Sequence, residues 1–406
     1  MRICFYTEIY YKGGLDTFLI NIFNSWPRED DQISLICNES HAGLTNIINK
    51  SPDRVIFKKY NRLFTSNFFI NNTSRNFFRI FSRRILKIIY RLIEYPILFP
   101  WYVISLTIVF TKSDYDRLIV VNGGYPASLL CRCAVIAWRF ANKPESAIMN
   151  FHNSATSSKW YERPFENAID FMVEKFSKDI VSVSKNCLNS LNNRRAFIGS
   201  KKLSYIYNGI EDPVTKTLGK NFLKKNSSYC LMLATYEQRK GHKFLLKAFQ
   251  EVVQQFPNME LRIHGHGSQL QKKIVLDEVH KLQLNKNVFL GGHIEDIKKL
   301  YTQASIVVVP SQEYESFGLT IIEAMAYGIP VITTDVGGMP EVLENTNAGY
   351  VCSKDKPLEF ANFIIHILQN KQLALDLGNN GRVAFIKRYT ALKMASKYDQ
   401  LIQRNL

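Results

Sequence analysis

Short apolar runs rich in β-branched residues recur along the chain, at 2–7, 33–37, 55–60, 117–122, 147–152, 180–183 and 203–207, and again at 230–234, 261–263, 288–292, 305–309 and 331–334. Runs of this length with little alternation suit strands covered on both faces, as in parallel sheets. The segments between them are long enough for helices, so the pattern predicts a doubly wound α/β layout. A chain of 406 residues exceeds what one core usually supports, and its 46% hydrophobic content suffices for two packed interiors. No Gly-, Ser- or Pro-rich linker, repeat or low-complexity tract interrupts the pattern.

The most informative stretch, 310–335, reads PSQEYESFGLTIIEAMAYGIPVITTD. Pro310 ends a strand, Gly318 opens a run of helix formers, Gly328 and Pro330 close it, and a second β-branched run follows. Glu315 falls in the loop and Glu323 in the helix, with seven residues between them. Both acids are then placed to face a crevice above the strand ends, where open α/β sheets bind ligands. The amides of Phe317, Gly318 and Leu319 lie at the helix start, where orphan N–H groups and the helix dipole favour an anion. The chemistry suits a phosphate flanked by hydroxyls, which carboxylates accept in pairs. Two acids alone would read as solvated positions on a loop and a helix.

Charge alters this picture. The formal balance of +17 asks for an anionic partner: nucleic acid, a membrane surface or a phosphorylated substrate. Between Lys58 and Lys112 ten Lys and Arg stand against the single acid Glu94, a net of +9. Arg75, Arg79, Arg83, Lys87 and Arg91 recur every four residues, with Arg84 beside them and Phe78, Phe81, Ile85 and Ile88 filling the other positions. That is a basic amphipathic helix, suited to an anionic membrane surface or, equally, to a solvated face on a packed helix. The uncharged stretch 95–111 is interrupted by Pro96 and Pro100 and falls short of the ~20 residues a span needs. It is expected to be interfacial or core, not transmembrane. The seven cysteines are scattered without a CxxC pair or a His cluster and read as reduced core residues rather than a zinc site. The N-terminus lacks the apolar core and cleavage site of a secretion signal, which makes the cytoplasm the expected compartment.

The segment ESFGLTIIEAMAYGIPVI, from Glu315 onward, resembles the E-x7-E signature of the retaining glycosyltransferases of family 4, which have the GT-B fold. The resemblance covers nearly all of the second half and scattered points of the first, and is similar to that of bacterial surface-polysaccharide glycosyltransferases. It implies an α/β protein with two Rossmann-like doubly wound domains facing across a cleft. An acceptor-binding domain would occupy 1–212, a nucleotide-sugar-binding domain 213–387, and a C-terminal helix, 388–406, would return to the first domain. Asn208-Gly209-Ile210 resembles the segment with which the family leaves its first domain.

The resemblance also implies roles. Glu323 would hold ribose hydroxyls, while Glu315 and His152, at a strand end, would act at the donor sugar as the catalytic pair. Gly13 and Gly14 would form the loop facing the donor diphosphate, and the amides of Phe317, Gly318 and Leu319 would meet it from the other domain. Lys240 matches the family's diphosphate Lys. The family's Arg, five residues earlier, is replaced by Thr235, and Arg239 stands next to the Lys instead. Gly265 and Gly267 match a Gly-x-Gly turn, and His293 and Ile294 fall where the family packs the nucleotide base. Asp114-Tyr115-Asp116 has the D-x-D spacing of the other main glycosyltransferase fold, but it precedes a strand and reads as a turn, so no metal and no cofactor beyond the nucleoside diphosphate sugar donor is expected. The implied reaction is retaining, metal-independent transfer to a glycan or lipid-linked glycan acceptor in cell-surface polysaccharide synthesis, of the lipopolysaccharide O-antigen kind, by a protein peripheral to the inner face of the cell membrane. A GT-B epimerase acting on the nucleotide sugar itself is one alternative, and a polyanion- or membrane-binding protein without transferase activity is another. No P-loop or nucleic-acid module supports a nucleic-acid partner.

Overall fold

The computed structural model describes residues 1–8, 10, 13–60, 91, 93–214, 229–294 and 296–404. These residues form two compact units, Met1–Ile206 with Ala395–Leu406, and Tyr207–Met394. The division falls at 206/207, a few residues before the 212 read from the sequence, and the last helix enters the first unit at 395.

In the first unit, seven described strands form one sheet: β1 Arg2–Thr7, β2 Gln32–Asn38, β3 Val55–Tyr60, β4 Arg117–Asn122, β5 Ala147–Phe151, β6 Ser177–Ser182 and β7 Leu203–Tyr205, in the order β3-β2-β1-β4-β5-β6-β7. Every pairing is parallel. Strand order reverses at β1, so the switch point of the sheet lies between β1 and β4. The central strands are buried on both faces, β4 along its whole length, which is why they read as unbroken apolar runs. Ala391–Gln403 closes the unit: the Tyr398 hydroxyl accepts from Asn150 Nδ2 at 2.7 Å, and Asp399 accepts from Arg28 at 2.8 Å.

The second unit repeats the plan with β8 Tyr229–Leu233, β9 Glu260–His264, β10 Val288–Leu290, β11 Ala304–Val309, β12 Val331–Thr334 and β13 Gly349–Cys352, all parallel, in the order β10-β9-β8-β11-β12-β13. Its switch point lies between β8 and β11. Helix His242–Gln255 covers one face by burying Leu245, Leu246, Phe249 and Val252, which recur at helical spacing.

The stretch 95–111 departs from expectation. A single π-helical turn, Glu94–Leu98, runs directly into helix Phe99–Thr111. Pro96 lies within the π-helical turn, and Pro100 sits in the first turn of Phe99–Thr111, where a missing N–H is best tolerated. Glu94–Thr111 is thus long and apolar enough to cross a membrane by length and composition, with a third of it buried. Its inner side is fixed by a buried ionic cluster. Arg132 donates to both oxygens of Glu166 at 3.0 Å, Arg194 donates to Asp170 at 2.8 Å and to Glu166, and the Tyr95 hydroxyl donates to Glu166 at 2.6 Å.

Candidate functional site

The signature segment of the second unit follows the two strands that flank its switch point. After β8 the chain makes a 3-10 turn, Gln238–Lys240, and Gly241 at φ +80° starts helix His242–Gln255. That left-handed angle favours glycine, and a side chain there would also run into the Pro310 carbonyl. After β11 the loop carries Glu315, and Gly318 at φ +98° caps helix Leu319–Ala326. Gln312 N–H donates to the Arg239 carbonyl at 2.7 Å, tying the two loops together. The side chains meet as well: Lys240 Nζ donates to Glu315, and the Arg239 guanidinium lies 3.9 Å from the same carboxylate.

Arg239 is held in place. Its Nε donates to Glu237 at 2.6 Å and its guanidinium stacks over the Tyr314 ring at 4.9 Å, while Thr235 donates to the other oxygen of Glu237 at 2.8 Å. The residue standing at the family's Arg position thus helps to aim the Arg that is present. Glu323 lies on the Leu319–Ala326 helix, and its Oε2 accepts from the Tyr301 hydroxyl at 2.6 Å. Burial raises the Glu323 carboxyl above its ordinary range, and the Tyr301 hydrogen bond offsets part of that rise. Tyr301 itself stacks on Tyr327 at 4.9 Å, so its hydroxyl is a fixed donor. Phe317 is buried between Tyr207 and Tyr389, which leaves its backbone, not its ring, available at the helix start.

The loops after β9 and β10 also converge. Gly265 N–H donates to the Gly292 carbonyl at 3.2 Å, a side chain at Gly265 would strike the Ala234 carbonyl, and one at Gly267 would strike the Tyr236 ring. His293 stacks on His266 at 3.8 Å, with Ile294 next to it in the loop. His266, to which the sequence pattern assigns no role, thus lies against the segment expected to pack the base.

In the first unit, Gly13 caps helix Gly14–Asn24, and its N–H donates to Asp16 at 3.2 Å. Asp16 also pairs with His41 at 2.8 Å, a buried contact that fixes the turn carrying the Gly pair. His152 is the first residue after β5. Its ring packs edge-on to Phe18 at 4.4 Å, its Nε2 is buried without a partner among the described residues, and burial lowers its pKa to about 3. It is neutral at physiological pH. Next to the turn, Glu8 at the end of β1 accepts from Asn38 at 3.0 Å and from Tyr10 and Tyr60, a polar cluster that no motif announced.

Of the predicted membrane-contact residues, Arg75, Arg79, Arg83, Arg84 and Lys87 lie outside the described residues. Arg91 is ion-paired with Glu94 and, at 3.4 Å, with Glu162. Asp114 and Asp116 pair with Arg2 at 3.5 and 3.4 Å, in keeping with a turn. All seven cysteines are buried, with no disulfide among the described residues.

Two parallel doubly wound units, the second with cations and acids gathered at its switch point, define a GT-B protein, and solved glycosyltransferases share this two-unit fold. Residues 214–384, within the second unit, match the family described as Glycosyl transferases group 1. The chain is 24% identical over 275 residues to N-acetyl-alpha-D-glucosaminyl L-malate synthase of Bacillus anthracis, a match spanning 66% of this chain and 70% of that protein. It is 28% identical over 295 residues to phosphatidyl-myo-inositol mannosyltransferase of Mycobacterium tuberculosis, spanning 70% and 72%. The structure of Anabaena HepE in complex with UDP superposes with a TM-score of 0.75 at 16% identity, covering 100% of both chains.

Proposed function

We propose that the protein moves a sugar from a nucleoside diphosphate sugar to a glycan or lipid-linked glycan acceptor, with retention at the anomeric carbon and without a metal ion. The observation that carries this reading is the meeting of Lys240 and Glu315, from the two strands flanking the switch point, beside the helix that Gly318 opens. Lys240 and Arg239 supply the positive charge a departing diphosphate needs, and the first amides of Leu319–Ala326 add the helix-terminal field. Glu323, with one oxygen held by Tyr301, keeps the other for ribose hydroxyls. Glu315 and neutral His152 orient the sugar, each within its own unit. His152 acts through hydrogen bonding, since its lowered pKa removes it as a proton switch near neutrality. No carboxylate is assigned as nucleophile, so the route is front-face.

The acceptor follows from relatives and from charge. Phosphatidyl-myo-inositol mannosyltransferase acts on a lipid by its name, and the +9 segment from Lys58 to Lys112 suits the anionic inner face of a membrane. A thermal-shift screen of nucleoside diphosphate sugars tests the donor. A true donor at 100 times its dissociation constant stabilises by about 2.7 kcal/mol, whereas a screen in which no nucleotide sugar shifts the transition overturns the reading.

A further inference from the structure

The helix Phe99–Thr111 carries no charged residue, yet it lies at the surface of the first unit. A surface helix of a water-facing protein ordinarily places polar residues outward. Here Ile97, Trp101, Ile104 and Ile108, spaced four, three and four residues apart along one side, are each half or more exposed. The opposite side buries Tyr102, Leu106 and Phe110. Phe140, at the end of helix Leu129–Phe140, and Phe171, on helix Arg163–Phe176, are exposed as well. Between Ile104, Ile108, Ile136, Phe140 and Met172 lies an open groove of about 470 Å³. Its one lining hydroxyl, on Thr107, donates back to the Val103 carbonyl at 2.8 Å. Apolar patches of this extent on soluble monomers commonly mark an interaction site.

The charges around the face name its partner. Lys112 follows the helix, Arg139 precedes Phe140, and Arg163 and Lys175 lie on the third helix; all four are exposed. Phe176, against which Phe140 packs at 5.8 Å, carries the Lys175 ammonium over its ring. The acids of the same elements are turned inward, with Glu94, Glu166 and Asp170 buried against Arg91, Arg132 and Arg194, while Glu174 accepts from Ser200 at 2.7 Å. An apolar face edged by these exposed cations complements a bilayer with anionic headgroups over hydrocarbon. A second copy of the chain would bring like charges together at the same rim.

We infer that Ile97, Trp101, Ile104, Ile108, Phe140 and Phe171 form a surface that inserts into the interfacial layer of an anionic bilayer. The inference rests on the lipid-acceptor reading for its purpose, not for its test. Full-length protein is floated with vesicles of phosphatidylglycerol and phosphatidylcholine, without donor or acceptor, at low salt and at high salt. Charge contacts alone are screened at high salt, so binding that persists there reports insertion. Trp101→Ala/Ile104→Ala/Ile108→Ala is expected to lower partitioning at high salt by about tenfold or more, with wild-type circular dichroism and wild-type transfer to a water-soluble acceptor. Ile104→Glu, which places an acid on the face, should release the protein from phosphatidylglycerol vesicles. Wild-type partitioning in both variants overturns the inference, as does concentration-dependent dimerisation that the triple variant abolishes while wild type ignores vesicles. Vesicle binding without transfer to any acceptor would fault the proposed function alone, and transfer without vesicle binding would fault this surface alone.

Discussion

Replacing Lys240 by Met separates the charge at the site from the stability of the unit that holds it. The Lys240 and Glu315 side chains are 18% and 20% exposed, and Arg239 stands 3.9 Å from the same carboxylate. An exposed ion pair contributes about 0–1 kcal/mol, whereas stripping one partner from a fully buried pair costs about 3–5 kcal/mol. At one-fifth exposure, with Arg239 left to face Glu315 and the Met side chain retaining the aliphatic packing, the loss should be about 1–2 kcal/mol. For a unit of this size that is a fall in Tm of about 2–8 °C. Turnover should suffer far more. Removing one preorganised group that stabilises developing negative charge costs about 2.7–4 kcal/mol, or about 10²–10³-fold in kcat. Guanidinium denaturation and initial rates at saturating donor give both numbers from one preparation. Turnover within about threefold of wild type would refute the assignment of Lys240 to the leaving diphosphate, because a loss that small is about 0.7 kcal/mol.

Other consequences are equally open to measurement. Tyr301→Phe removes the hydrogen bond that fixes Glu323, so donor KM should rise about five- to tenfold with kcat nearly unchanged; an unchanged KM would detach Glu323 from the donor. Burial alone would raise Glu166, but Arg132 and Arg194 outweigh it and hold the carboxyl at about 2, against an ordinary 4.5. Its stabilisation is therefore complete above about pH 4.5 and lost as pH falls toward 2, softened by Asp170, which burial raises in the same cluster. Glu166→Gln should cost about 3–5 kcal/mol at pH 7 and flatten that acid limb in urea titrations, and an unaltered limb would place the acid sensitivity elsewhere. Transfer should survive excess chelator, and a loss restored by magnesium or manganese would contradict the metal-independent route.

The fold was legible where burial leaves a mark on composition. Strands β1, β4 and β12 coincide with their apolar runs, because a strand covered on both faces has few polar positions to blur its ends. β13, Gly349–Cys352, was missed: it is four residues long, opens on Gly and exposes Val351. Pro100 misled in the opposite direction, since a proline in a first turn is compatible with the helix it opens. At the site, Glu315, Gly318 and Glu323 share one contiguous signature, whereas the groups that orient them come from elsewhere. Tyr301 lies 22 residues before Glu323, and His266 meets His293 only because β9 and β10 are neighbours. Such partners are set by strand order, and strand order is a long-range property that local pattern does not carry. The ionic cluster of Arg132, Glu166, Asp170 and Arg194 was unreadable for the same reason, its members being drawn from two helices and a residue between two later turns.

The fate of the sugar tests the central claim most directly. Donor carrying an isotopic label at the anomeric carbon is incubated with the protein and acceptor-bearing membranes, and the products are separated and read by NMR. The account predicts label in the acceptor fraction, joined through an anomeric carbon of the same configuration as in the donor. Label joined with inverted configuration, or label returning in the nucleotide pool as an epimer with none in the acceptor, would contradict it.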